Sequence, residues 1–253
     1  MIRRDIMLKG KNAIVTGAGS GIGLATLKLF VENGANVWAF IHKTNIELQN
    51  QLDNLSREYN VWIKTVEFDL MDEQSVKASV KQVISEGEKI DILVNCAGIV
   101  NVKSLSLTSL DEMRESMMVN FFMPSIIMQI VSRKMMHQKC GNIVNIISRV
   151  APEFRSGAYA YGSSKMALFW GTKAAAKELS QYNIRVNGVS PGLTETKSGT
   201  GRQKEGGVEA YVSVNNIKRP AKPEEIANTV LYLVSDMSSY VSGQIINCDG
   251  GRY

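Results

Sequence analysis

Tyr161 and Lys165 are the two residues whose types and spacing could do chemistry together. Four residues apart, they share one face of a helix and lie one turn from each other. The residues that follow, 166–179, favour helix and predict a helix over 160–180. The pKa of a free tyrosine is about 10, and a nearby ammonium group favours the phenolate. We therefore expect Tyr161 to exchange a proton near neutral pH, although such a pair also occurs by chance in many helices.

A second motif is a glycine-rich loop between a strand and a helix. The apolar segment 12–16 predicts a short buried strand, and 24–33 predicts a helix. Between them, residues 17–23 have the glycine spacing G-x-x-x-G-x-G. Such a loop lets the backbone approach a pyrophosphate, which then lies at the positive N-terminus of the helix. The sequence therefore predicts a dinucleotide site.

The residues after the second predicted strand, 37–41, bear on the type of dinucleotide. An acidic residue there would bind the adenosine ribose of NAD(H), whereas a basic residue would accommodate the 2′-phosphate of NADP(H). His42 and Lys43 follow the strand, and no acid lies beside them. The pattern favours NADP(H) over NAD(H). The alternative is that both side chains only face water.

Polar or small residues end the other predicted strands. Asp69 follows strand 61–68 and could accept a hydrogen bond from the adenine amino group or cap the next helix, 72–87. Asn120 lies in a long predicted helix, 109–138, where a buried amide must be hydrogen-bonded in a structural or a functional role. The remaining predicted strands are 90–94, which leads into Asn95, Cys96, Ala97 and Gly98; 142–147, which ends at Ser148; 184–189, followed by Pro191 and Gly192; and 244–247.

The alternation of strands and helices predicts the fold. We expect an α/β protein with a single doubly wound Rossmann domain over 1–253, a mainly seven-stranded parallel sheet and helices on both faces. Residues at the carboxyl ends of such strands face the ligand crevice. Residues 194–210 are rich in Thr, Gly, Lys and Glu and follow the sixth strand at that edge. They predict a mobile substrate lid over 194–215.

Composition excludes several classes of protein. The chain has 253 residues, 44% apolar and 21% charged, which is typical of a globular protein. Its net charge of +5 comes from scattered Lys and Arg, so nucleic-acid binding is not expected. There is no signal-like segment at residues 1–10, and the apolar run 121–131 is too short and too interrupted for a membrane span. Two histidines leave little for a metal site, and three scattered cysteines (Cys96, Cys140 and Cys248) favour reduced thiols and a cytoplasmic setting.

Together the motifs closely resemble the classical branch of the short-chain dehydrogenase/reductase family, over essentially all of 9–253. Within that branch, 187–192 and 243–251 look most like the 3-oxoacyl-(acyl-carrier-protein) reductases. The motifs that carry the resemblance are Thr16-Gly17-x3-Gly21-Ile22-Gly23, Asp69, Asn95-x-Ala97-Gly98, Asn120, Ser148, Tyr161-x3-Lys165 and Pro191-Gly192.

The resemblance implies a role for each of these residues. Tyr161 would be the general acid or base, Lys165 would lower its pKa and hold the nicotinamide ribose, Ser148 would bind the substrate oxygen, and Asn120 would hold a water of a proton relay. The implied cofactor set is Gly17, Ser20, Gly21, Ile22 and Gly23 at the pyrophosphate; His42 and Lys43 at the adenosine ribose; Asp69 and Leu70 at adenine; Asn95 at its ribose, with Ala97 and Gly98 beside it; Tyr161 and Lys165; and Pro191, Gly192, Thr194 and Thr196 at the nicotinamide amide and phosphates.

The chain also departs from the family pattern. Cys96 replaces a second asparagine, for which we expect only a structural effect, and Ser20 stands where NADP enzymes often carry a basic residue. Arg149 and Arg155 could place positive charge at the substrate mouth or lie at the surface. Lys139 and Lys177 match positions at which acyl-carrier reductases carry basic residues for an acidic carrier protein.

Three functions are compatible with these residues. The first is an NADP(H)-dependent 3-oxoacyl-carrier-protein reductase, which acts on an acyl thioester and has an acyl carrier protein as its partner. The second is an NAD(P)-dependent dehydrogenase of the same fold that acts on a free alcohol, sugar or other small ketone. The third is a dinucleotide sensor without catalysis, which the presence of all four catalytic positions disfavours. The resemblance also implies a homotetramer assembled through helices 109–138 and 159–180 and the C-terminal strand.

Overall fold

All seven strands form one parallel sheet in the computed structural model, which describes residues 6–203 and 205–251. The strand order is β3-β2-β1-β4-β5-β6-β7. The order reverses between β1 and β4, which is where a doubly wound sheet opens a ligand crevice. The predicted fold class is confirmed. The strands are β1 Asn12–Thr16, β2 Asn36–Ile41, β3 Ile63–Glu67, β4 Ile92–Asn95, β5 Gly141–Ile146, β6 Ile184–Pro191 and β7 Ile245–Cys248.

Nine α-helices connect the strands in the described part of the chain. Sequence signals explain where several of them begin. The Asn45 side chain accepts from the Leu48 N–H, the Asp72 side chain accepts from the Gln74 N–H, and Ser109 forms a capping box with Glu112. The helices are α1 Gly21–Glu32, α2 Ile46–Tyr59, α3 Glu73–Ser85, α4 Leu110–Met117, α5 Met123–Gln138, α6 Val150–Glu153, α7 Tyr159–Leu179, α8 Gly207–Val212 and α9 Pro223–Val234.

The hydrophobic core lies on both faces of the sheet, because each central strand is buried on both sides. On one face, Val15 and Val37 pack with Phe30 of α1 and Val230 of α9. On the other face, Phe40 packs among the apolar side chains of α3 and α5. All five residues of β1 are buried, as expected for a parallel sheet covered by helices on both sides.

The long helical stretch predicted over 109–138 is present, but it is not regular α-helix throughout. A π-helical segment, Met118–Phe122, joins α4 to α5 and contains Asn120. An Asn120 side chain that bonds to the Ile99 backbone favours this wider turn over regular α-helix at that point. The segment therefore holds the Asn120 side chain against the loop that follows β4.

Parts of the predicted lid are helical. A 3₁₀ turn, Thr200–Arg202, and the helix α8 lie within 194–215, whereas Lys204 lies outside the described residues. The N-terminal residues 1–5 and the last two residues also lie outside them. Among the described residues, no helix combines the length and apolar character that crossing a bilayer requires.

Candidate active site

The glycine loop between β1 and α1 is shaped for close backbone packing. Gly17 and Gly21 have φ values of +68° and +54°, a region that favours glycine. A Cβ on Gly23 would lie 2.1 Å from the Gly17 carbonyl oxygen. Ser20 precedes α1 without capping it through its side chain, and the first turn of α1 holds no acidic residue. The backbone N–H groups of that turn are therefore suited to an anion such as a pyrophosphate.

A groove of about 470 Å³ runs from this loop along the carboxyl ends of β1, β2, β3 and β4. It adjoins a smaller cleft of about 170 Å³ at the ends of β5 and β6. The two share Ile22, Cys96, Gly98 and Thr196 among their lining residues, so they form one continuous channel. The predicted cofactor residues that line the channel are Gly17, Ser20, Gly21, Ile22, Gly23, His42, Asp69, Leu70, Ala97, Gly98, Tyr161, Lys165, Pro191, Gly192, Thr194 and Thr196.

Two predicted cofactor residues do not line this channel. The Asn95 side chain is buried between β4 and β5, where its amide donates to the Asn145 side chain at 2.8 Å. The next residue, Cys96, faces the channel instead, because successive side chains of a strand point to opposite faces. Of these two residues, Cys96 presents its side chain to the channel, and the cofactor contact expected at Asn95 stays a prediction. Lys43 is exposed beyond the groove, whereas His42 lines it.

Asp69 does not cap α3, because Asp72 does. The Asp69 carboxylate accepts from the Met71 N–H at 2.8 Å and lines the groove. Of the two alternatives for Asp69, capping of α3 is wrong, and the contact with adenine stays a prediction.

Ser148, Tyr161 and Lys165 meet in the smaller cleft. Ser148 follows β5, and its hydroxyl is hydrogen-bonded to the Tyr161 hydroxyl. Tyr161 and Lys165 lie in the first two turns of α7, and both side chains are buried. The Lys165 Nζ donates to the Ile146 carbonyl at 2.9 Å. A tyrosine and a serine hydroxyl at this position could together protonate and polarise a carbonyl oxygen.

Asn120 joins three elements next to Lys165. Its side chain accepts from the Ile99 N–H at 2.9 Å and donates to the Ile99 carbonyl and to the Ser164 hydroxyl, each at 3.0 Å. A Cβ on Gly98 would lie 2.8 Å from Asn120 Oδ1 and 3.3 Å from Lys165 Nζ. Asn120 therefore serves as a structural bridge, and its oxygen borders the same small space as the lysine ammonium group.

Burial, rather than Lys165, dominates the acidity of Tyr161. Burial raises its pKa above the ordinary value of 10.0, the hydrogen bond from Ser148 opposes that rise, and the nearby Tyr211 adds to it. We expected Lys165 to lower the pKa of Tyr161 toward neutral pH, and this direction is wrong: among the described residues, burial is the largest influence and raises the pKa. A raised pKa keeps the phenol protonated at neutral pH, which is the form that donates a proton.

Burial also lowers the pKa of Lys165, from 10.5 to about 8, with the Cys96 thiol acting slightly against it. The folded state therefore binds fewer protons than the unfolded state between these pH values, and stability should rise with pH in that interval. We expect the free energy of unfolding of the wild type to rise relative to Lys165→Met from pH 8 to pH 10.5, by up to about 3 kcal/mol. Denaturant unfolding of both proteins across this range measures it.

The matched control for this experiment is Lys173→Met, which removes an exposed lysine from the same helix. That variant should follow the wild type at every pH. Parallel stability curves for the wild type and Lys165→Met would show that the Lys165 ammonium group is not disfavoured by burial.

The predicted lid lies against the cleft. Arg202 donates to the Val100 carbonyl in the loop after β4. Tyr211 of α8 lines the cleft, and the Arg155 guanidinium lies 4.9 Å from the centre of its ring. No local pattern in the sequence points to Tyr211, because the residues that it contacts are distant in the chain and the fold of the lid brings them together.

Arg149 does not reach the substrate mouth. It forms an ion pair with Asp249, with 2.9 Å between Arg149 Nε and Asp249 Oδ2, and both side chains are largely buried. Its backbone N–H donates to the Pro191 carbonyl. Arg149 therefore connects the loop that carries Ser148 to the end of β7, and of the two arginines only Arg155 lines the cleft.

Lys139 and Lys177 lie at the other edge of the sheet. Lys139 ends α5 just before β5 begins, and Lys177 is in the last turn of α7 before β6. Tyr161 lies at the opposite end of α7, about 24 Å from Lys177 at 1.5 Å per residue. These lysines are therefore remote from the cleft of their own chain.

Known proteins share this architecture. A protein-family model described as enoyl-(acyl carrier protein) reductase matches residues 17–252. The 3-oxoacyl-[acyl-carrier-protein] reductase FabG of Thermotoga maritima is 38% identical over 248 residues, which cover 96% of this chain and 98% of the relative.

Two solved structures extend the comparison. A 7α-hydroxysteroid dehydrogenase complexed with NADH and 7-oxo glycochenodeoxycholic acid is 32% identical, with a TM-score of 0.90, covering 98% of this chain and 96% of that one. The L-sorbose reductase of Gluconobacter frateurii, complexed with NADPH and L-sorbose, is 27% identical, with a TM-score of 0.89 and 98% of both chains covered.

The chain belongs to the short-chain dehydrogenase/reductase family. It resembles the 3-oxoacyl-carrier-protein reductases within that family. It is an NAD(P)-dependent oxidoreductase that acts on CH–OH groups.

Proposed function

We propose that this enzyme uses NADP(H) to reduce the ketone of a 3-oxoacyl thioester to a secondary alcohol. The observation that carries the reaction is the hydrogen-bonded pair of Ser148 and Tyr161 beside Lys165, in a cleft continuous with the glycine-loop groove. The substrate class rests on similarity to the Thermotoga FabG over nearly the full length of both chains.

Four side chains carry the chemistry in this proposal. Ser148 donates to the carbonyl oxygen of the substrate, and Tyr161, protonated because burial raises its pKa, gives the proton that completes the alcohol. Lys165 would hold the nicotinamide ribose, and Asn120 would hold the water through which Lys165 and then Tyr161 regain a proton. The bound nicotinamide supplies the hydride, while the protein supplies orientation and the proton.

The remaining channel residues would hold the cofactor. The N-terminus of α1 and the glycine loop would take the pyrophosphate, since a side chain at Gly23 would fill the space that the loop needs. Asp69 and Leu70 would hold adenine, the segment of Asn95 and Cys96 would hold its ribose, and Thr194 and Thr196 would hold the nicotinamide end.

The preference for NADP(H) is proposed from the end of β2. Ile41 packs beside Gly19 and is 2% exposed, so an aspartate there would be buried without a partner, and His42 is the better position for a test. We expect His42→Asp to shift the ratio of kcat/KM for NADPH over NADH toward NADH by about tenfold or more, because the carboxylate repels a 2′-phosphate. Initial rates with both cofactors measure the shift.

Lys43→Asp is the matched control. This substitution changes the formal charge of the protein by more than His42→Asp does, but Lys43 does not line the groove. Its effect on the ratio should be smaller than that of His42→Asp. Equal ratios for the wild type and His42→Asp would show that cofactor choice is made elsewhere.

A second candidate substrate is a free ketone, alcohol or sugar. The similar fold of the hydroxysteroid dehydrogenase and the sorbose reductase favours it, as does the small volume of the cleft, about 170 Å³. Initial rates with acetoacetyl thioesters and with a panel of free ketones, each with NADPH and NADH, distinguish the two. Activity confined to free ketones would overturn the thioester assignment.

We also propose an acyl carrier protein as the natural donor of the thioester, a homotetramer and a cytoplasmic location. The proposal of a carrier protein rests on the similarity to FabG. It does not rest on Lys139 or Lys177, which are remote from the cleft. The tetramer is supported by an exposed aromatic side chain on each of the two long helical stretches, Phe122 and Trp170. The free state of Cys96, Cys140 and Cys248 supports a reducing compartment.

A further inference from the structure

Arg155 and Tyr211 form a cation–π pair at the mouth of the cleft. Arg155 lies in the loop between α6 and α7 and is exposed, whereas Tyr211 is 8% exposed and packs against Leu193 and Val212. The guanidinium carbon of Arg155 is 4.9 Å from the centre of the Tyr211 ring. At this distance the ring face attracts the cation and limits the orientations that the guanidinium adopts.

The cleft is positively charged. Among its described lining residues, Arg155 and Lys165 are the charged side chains, and none is Asp or Glu. Lys165 lies deep in the cleft and donates to the Ile146 carbonyl. Arg155 is therefore the cation that a substrate meets at the entrance.

Arg155 keeps N–H groups available for a ligand. Its guanidinium lies over the Tyr211 ring, its side chain is exposed, and the ion pairs formed within residues 6–203 and 205–251 do not include it. A guanidinium presents pairs of parallel N–H groups, which match a carboxylate or phosphate. Tyr211 also lies close enough to Tyr161 to influence the pKa of its phenol, so the pair is near the reacting carbonyl.

We propose that Arg155, positioned by Tyr211, binds an oxyanion of the substrate and makes the enzyme selective for anionic ketones. This inference rests on the proposed ketone reduction and specifies its substrate class. The oxyanion has two chemical sources: the carboxylate of a free keto acid, or a phosphate on the arm that carries a thioester.

Four ketones in two matched pairs test the proposal and separate the sources. Acetoacetate and methyl acetoacetate differ in a carboxylate, while acetoacetyl-coenzyme A and acetoacetyl-N-acetylcysteamine differ in a phosphate-bearing arm. Each is assayed with the wild type, with Arg155→Gln and with Arg133→Gln, which removes an exposed arginine from α5 outside the cleft.

We expect the wild type to prefer the anionic member of at least one pair. Arg155→Gln should lower kcat/KM for that member by about tenfold or more, chiefly through KM, since a charge-assisted hydrogen bond to substrate is lost. The neutral member should change little, and Arg133→Gln should behave as the wild type. The pair that responds identifies the source of the oxyanion.

Tyr211 is a positioning residue, and a second pair of variants tests that role. Tyr211→Phe keeps the ring beneath the guanidinium and should keep the preference for the anionic substrate. Tyr211→Leu keeps an apolar side chain but removes the ring. This variant should lose the preference for the anionic substrate, with KM rising for the anionic member alone. If both variants lose the preference equally, stacking does not position Arg155.

The outcomes separate this inference from the proposed function. Reduction of acetoacetate but of neither thioester, with the Arg155 effect present, supports the inference and overturns the thioester assignment. If both thioesters are reduced and Arg155→Gln leaves their rates unchanged, the thioester assignment is supported and the inference about Arg155 is overturned. If no ketone is turned over, binding is measured instead, by saturation-transfer NMR of 3-hydroxybutyrate and of its methyl ester with the NADP⁺-loaded enzyme. Binding of the acid that Arg155→Gln abolishes supports the inference. Equal binding of the acid and the ester, or no binding of the acid, overturns it.

Discussion

Tyr161→Phe is expected to lower kcat by about a thousandfold, the middle of the range for losing a general acid, while NADPH still binds. The substitution removes one hydroxyl from a side chain that is 9% exposed and leaves the ring in place. Ser148 keeps its position, because its oxygen also accepts from the Val150 N–H. Steady-state kinetics and NADPH fluorescence titration measure the two quantities separately.

Tyr159→Phe is the matched control, since Tyr159 lies two residues earlier on α7 and is exposed. It should retain the wild-type kcat. A near-normal kcat for Tyr161→Phe would mean that the proton comes from another group, and the assignment of the catalytic acid would have to be abandoned.

Gly23→Ala is expected to abolish tight NADPH binding and to destabilise the fold by at least about 2 kcal/mol, in the range for overpacking. The added Cβ would lie 2.1 Å from the Gly17 carbonyl oxygen and 2.6 Å from its carbon. Both atoms belong to the backbone and cannot rotate away, so α1 must move from the loop. Fluorescence titration with NADPH and denaturant unfolding measure the two effects.

Gly171→Ala provides the comparison within a helix. Its Cβ would make an ordinary contact, 3.4 Å from Phe121, and alanine favours helix more than glycine does. This variant should bind NADPH as the wild type does and be at least as stable. If Gly23→Ala bound NADPH equally well, the glycine loop would not hold the pyrophosphate.

The sheet and the glycine loop were predictable because their signals are local. The apolar run at β1 and the glycines after it depend on neighbours in sequence, and all five predicted residues of β1 lie in the strand. The Tyr161 and Lys165 pair was equally accessible, because helical periodicity alone places both on one face.

Features that depend on tertiary contacts were not predictable. The sequence could not tell which of Asn95 and Cys96 turns toward the channel, because that depends on how β4 pairs with β5. The partner of Arg149 is Asp249, a hundred residues further along the chain, and no local pattern joins them. The acidity of Tyr161 depends on burial and on Tyr211, so the helical spacing alone gave the wrong direction for its pKa.

The π-helical segment at Met118–Phe122 constrains how the gene can change. It accommodates one residue more than regular helix would over the same length. Losing a single codon there would therefore restore regular α-helix and leave α4 and α5 in register with each other. The buried side of α5 would stay against the sheet, but the wider turn that carries Asn120 to Ile99 and Ser164 would be lost. Length in this stretch is therefore as constrained as residue identity.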